Sequence, residues 1–133
     1  MIDISNQVYT LVKNALNTYD SSIGTSSVYT NTPSVYPFVS VEEIDNMVDI
    51  DTSDSCALEN HAEIQYEINI YAKDPLKRSK AYEILQVVDT LLGSYNFTRR
   101  SKNDFQEGNN ETIYRIILRY TALVSKDHTI YRR

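Results

Sequence analysis

Residues 61–93, HAEIQYEINIYAKDPLKRSKAYEILQVVDTLLG, change period halfway, and that change decides most of what the chain can become. Up to Ala72 the side chains alternate. Ala62, Ile64, Tyr66, Ile68, Ile70 and Ala72 share one side, and His61, Glu63, Gln65, Glu67, Asn69 and Tyr71 share the other. A period of two marks a strand with one buried face. Past Pro75, the residues Ala81, Ile84, Leu85, Val88, Leu91 and Leu92 recur at the spacing of one helix face. A long strand leading into an amphipathic helix calls for a sheet with a helix packed on it. The strand's other side is acidic and polar, and its purpose is the functional question.

The rest of the chain extends the same plan. Ile4, Val8, Leu11, Val12, Ala15, Leu16 and Tyr19 predict a helix over 3–19, with Asp3 or Ser5 as its cap. Residues 20–37 are rich in Ser and Thr and read as loop, with a short strand near 27–30. Residues 37–50 predict a strand whose alternation slips at Glu42–Glu43, where a bulge would restore register. A helix over 76–92 is expected to end at Gly93. Residues 95–102 predict a short strand and 103–110 a turn. The final strand, 111–124, is apolar on one side and half apolar on the other, which suits a central position. The expected fold is α+β: an antiparallel sheet of about four strands, two helices on one face, in the order α-β-β-α-β-β. One domain, 1–133, is expected, with a short basic tail over 125–133.

Composition removes several classes of function. Three glycines, Gly24, Gly93 and Gly108, cannot build a phosphate-binding loop. One cysteine, Cys56, and two histidines, His61 and His128, support neither a zinc site nor a catalytic triad. The acidic segment 49–60 places Asp49, Asp51 and Ser53 at calcium-ligand spacing. It has Asp54 where the turn needs Gly, and Asn60 where a bidentate Glu belongs. The expectation is a protein that is not an enzyme and has no cofactor and no metal. No run of about 18 apolar residues suggests a membrane span.

Charge is unevenly spread. Residues 1–72 hold eleven acids and a single base, Lys13, for a net of −10; residues 73–133 hold twelve bases and seven acids, for +5. The halves either neutralise each other within one domain or meet between copies. Eleven tyrosines are unusual in a chain of this size, and tyrosine suits half-wet interfaces. Tyr29, Tyr36, Tyr71 and Tyr131 lie outside the obvious core stripes and are the partner-contact candidates, with Arg132 and Arg133 in the basic tail.

The chain resembles the small tail-completion, or tail-terminator, proteins of long-tailed bacteriophages of Gram-positive bacteria. The resemblance runs through MIDISNQVYTLVKNAL, SVYPFVSVEEIDN, ENHAEIQYEINIYA, EILQVVDTLL, GSYNFTRR, ETIYRIILRYTALV and KDHTIYRR. It implies an α+β virion structural protein made in the bacterial cytoplasm. Its copies would form a ring, usually a hexamer, at the head-proximal end of the tail tube. The ring would end tube growth, contact the major tail tube protein and the neck or connector proteins, and let DNA pass without specific binding. A head-completion or stopper protein, a minor capsid protein and a monomeric binding module are the other readings. In a ring, Glu42, Glu43, Asp45, Glu63 and Glu67 are candidates for an acidic lumen lining. The competing expectation is that Glu63 and Glu67 pair across the sheet with Arg115 and Arg119.

Overall fold

The computed structural model describes residues 1–28, 33–48, 61–73, 77–107 and 110–132. Its elements are α1 (Ser5–Tyr19), β1 (Gly24–Ser26), β2 (Phe38–Val48), β3 (His61–Lys73), α2 (Lys77–Ser94), β4 (Thr98–Glu107), β5 (Asn110–Ser125) and β6 (Ile130–Tyr131). The strands form one six-stranded sheet in the order β1-β2-β3-β5-β4, with β6 also on β5. The α+β class and the two helices agree with the expectation. The sheet has more strands than the expected four, and β1 runs parallel to β2 while every other pairing is antiparallel.

The alternation of β3 separates two faces. Ala62, Ile64, Tyr66, Ile68, Ile70 and Ala72 enter one buried cluster with Val8, Val12 and Leu16 of α1. Ala81, Ile84, Leu85, Val88 and Leu92 of α2 join the same cluster, so both helices cover the same side of the sheet. Full burial of an Ile or Leu side chain stabilises by about 1.5–3 kcal/mol, so this interface dominates the fold. The helices are also tied to each other. Lys80 Nζ lies 2.9 Å from Asp20 Oδ2, and Tyr19 donates to Glu83 Oε2 at 2.7 Å. The hydrogen bond from Lys80, aided by Ser22, holds the Asp20 carboxyl down at about 2.

Four expectations are corrected. A short strand lies at Gly24–Ser26, and of the expected 27–30 the residues 27 and 28 form a bend while 29 and 30 lie outside the described residues. Only Gly lets β1 approach this closely, since a Cβ at Gly24 would fall 2.5 Å from Val35 Cγ2 and 2.8 Å from Phe38 Cδ2. The helix α2 runs past Gly93, and its left-handed terminal residue is Asn96, with φ 71°. There Phe97 N–H donates to Leu92 O and Asn96 N–H to Gly93 O, the paired bonds of a Schellman cap. Most of the segment read as a turn, 103–110, is strand: β4 continues to Glu107. Its polar residues belong to a border strand, where among the described residues one side of the backbone meets no other strand. The tail expected over 125–133 likewise contains β6, which pairs Tyr131 with Leu123 and Ile130 with Val124.

Candidate functional site

With both helices on one side, the other face of the sheet is the broadest surface left without a covering layer among the described residues. Register places its side chains in rows. Met47, Glu63, Leu123 and Tyr131 form one row, and Asp45, Gln65, Thr121 and Thr98 the next. Below them lie Glu42, Glu67, Arg119 and Ser101, then Ser40, Asn69, Ile117 and Asn103, and then Phe38, Tyr71, Arg115 and Phe105.

The lower end of this face makes its own cover. Tyr71 is buried with Phe38 and Ile113, and Tyr36 packs on them. The Arg115 guanidinium lies 5.4 Å from the Tyr71 ring centroid. It also donates to Asn69 Oδ1 from Nε at 3.1 Å and from Nη2 at 2.7 Å. Tyr71 is therefore not a surface contact as expected. It lies off the stripe facing the helices but belongs to this second, smaller core.

The expected pairing of two glutamates with two arginines is half right. Arg119 faces Glu67, with Nη2 3.2 Å from Oε1. Glu63 faces Leu123, and Arg115 faces Tyr71. The antiparallel register lies four residues away from the one that would make both pairs. Because Arg119 is half exposed, the Glu67 pair contributes no more than about 1 kcal/mol. The acids of this face, Glu42, Asp45, Glu63 and Glu67, gather on β2 and β3, while Arg115 and Arg119 stand on β5.

Glu43 is turned to the helix side, opposite Tyr66. Burial first, and the charge of Asp3 second, raise its carboxyl above the ordinary value. It is thus not on the face that Glu42 and Asp45 share. The bulge at Ile44 is what returns Asp45 to that face, opposite Gln65.

The remaining candidates are scattered. Tyr36 is half-buried, with Lys73 Nζ 5.6 Å from its ring centroid. Tyr131 is exposed on the helix-free face, its ring 5.9 Å from that of His61. Arg132 folds back on its own chain and donates to Gly93 O at 3.1 Å, so the carbonyl end of α2 occupies it. Tyr29, Arg133, Cys56 and the calcium-like segment 49–60 lie outside the described residues.

One polar cluster was not foreseen. Asp104 on β4 accepts from Tyr114 at 2.6 Å and from Tyr82 of α2, and Lys102 lies 3.2 Å away. Burial opposes the charge of Asp104, but the hydrogen bonds from Tyr114, Tyr82 and Lys102 outweigh it and hold the carboxyl below its ordinary value. The cluster clasps α2 to β4 and β5. Tyr114 and Tyr82 lie 10 and 22 residues from Asp104 in the chain, so no local motif announces the cluster. Among the described residues, no group of three His, Cys, Asp or Glu side chains is placed to hold a metal, and no helix is long and apolar enough to cross a membrane. No known family profile and no curated protein matches the chain.

Proposed function

We propose that this chain is a non-enzymatic structural subunit of a phage virion, whose copies form a ring on the head-proximal end of the tail tube. The ring ends tube growth, joins the tail to the neck, and passes DNA through its lumen. The observation that carries this reading is the helix-free sheet face. It spans the columns of β1, β2, β3, β5 and β4, with β6 continuing the β4 column, and is half apolar at its ends and acidic along β2 and β3. Such a face gains from contact with further protein, and its acids suit a passage that must not hold DNA. The resemblance along the chain points the same way and supplies the hexamer as the expected ring.

The test is native mass spectrometry and negative-stain electron microscopy of the purified chain, alone and with tail tube and neck proteins. A closed ring that caps tube ends is expected. A chain that stays monomeric at every concentration and binds neither component overturns the proposal.

A further inference from the structure

We infer that the two borders of the sheet are the matched halves of one contact, and that the acidic border of one copy docks on the basic border of the next. This rests on the ring reading and names the surfaces that build the ring.

Among the described residues, β1 pairs only with Phe38–Ser40 of β2, and no strand pairs with 41–48 on the side away from β3. This border carries Glu42, Glu43 and Asp45. It also presents apolar surface, with Ile44, Met47 and Val48 exposed by 39%, 47% and 49%. At the opposite border, among the described residues, no strand pairs with the outer side of β4. That border carries Arg99, Arg100 and Lys102, and β6 extends it with Tyr131, exposed by 46%.

The two borders match in height. Register runs straight across the sheet from Glu43 to Tyr66, Tyr120 and Arg99. Two rows below, Val41 is level with Lys102 through Ile68 and Leu118, and three rows above, on the helix-free face, Met47 is level with Tyr131 through Glu63 and Leu123. Glu43 therefore stands level with Arg99, and exposed Met47 with exposed Tyr131. Both borders carry a register shift beside the Glu43–Arg99 row, one between Glu43 and Asp45 and one between Arg99 and Ser101. Bulges guard a border against indiscriminate pairing.

Direction and charge select the mode of association. Three antiparallel steps separate β2 from β4, so the borders run in opposite directions. Copies placed side by side would continue the antiparallel order. Two-fold pairing of identical borders would set acid on acid or base on base, which charge opposes. Unlike borders meeting head to tail give a heterologous contact, the kind that closes into rings. Asp89 lies 3.1 Å from Arg99, and Asp104 lies 3.2 Å from Lys102. Incoming acids therefore extend existing pairs into networks.

The experiment uses two full-length variants, Glu43→Lys with Asp45→Lys, and Arg99→Glu with Arg100→Glu. Circular dichroism and thermal melting confirm their folding, and native mass spectrometry and sedimentation read their assembly. Each variant alone should assemble on the order of tenfold more weakly, or not at all. Their equimolar mixture should recover rings that alternate the two chains, and added salt should weaken wild-type rings. Should a variant unfold, Asp45→Asn and Arg100→Gln carry the same comparison with smaller effects. Wild-type-like rings from either variant alone, or no recovery on mixing, overturn the border contact while leaving the ring reading standing. A monomeric wild type overturns both.

Discussion

Asp104 shows how one side chain can hold two layers together. It takes hydroxyls from Tyr82 on the helix and Tyr114 on the neighbouring strand, and Lys102 balances its charge. Since its carboxyl is held below the ordinary value, its contribution is present above the unfolded-state value and is lost as pH falls through the folded one. Asp104→Asn should cost about 1 kcal/mol at neutral pH. The gap from wild type should close on acidification, as measured by chemical denaturation across a pH series. Nothing near Asp104 in the chain forecasts this, because the stretch NDFQEGNN is polar enough to read as a turn. Tyr71 was obscured for the opposite reason. Its spacing puts it off the helix-facing stripe, and only the fold brings Phe38 and Ile113 beside it.

Among the elements, β3 and α2 were legible because each repeats one pattern for three or more turns or pleats. The end of α2 was not, since glycine is the usual terminating residue, yet the helix runs through Gly93 to Ser94 and its left-handed cap residue follows two positions later, at Asn96. Asn96 does two jobs there. Its backbone takes the left-handed turn, and its side-chain Nδ2 donates to Ile130 O at 3.1 Å, fastening β6. Asn96→Ala should lose both, at roughly 1–2 kcal/mol. Asn96→Gly should restore the turn alone. Thermal melting should therefore rank wild type above Ala with Gly between, while hydrogen exchange at Ile130 and Tyr131 rises in both variants. β1 was beyond the reach of pattern reading: three residues hold no period, and its position depends on the close approach at Gly24.

For the whole molecule, periodicity assigned each side chain to a face but could not say which residues oppose each other. Glu67 meets Arg119, whereas Glu63 meets Leu123, because register is set by the connections and the core and not by matching charges. The two glutamates should therefore behave differently. Glu67→Lys should lower stability by under about 1 kcal/mol through the lost pair with Arg119. On the proposed ring, with Glu63 in its lumen, Glu63→Lys should leave ring formation intact and slow DNA passage, as read by a DNA-ejection assay on assembled particles. The shift at Ile44 has a consequence of another kind. In the language of reading frames, Ile44 is a spare letter in β2. Remove it, and Glu43 still stands opposite Tyr66 and Asp45 opposite Gln65, so the text on either side keeps its meaning. Add a letter ahead of Glu43, and every later residue changes face, with Asp45 and Met47 turned toward the helices. The strand can thus lose one residue without losing its sense, and Ile44 is where it can do so.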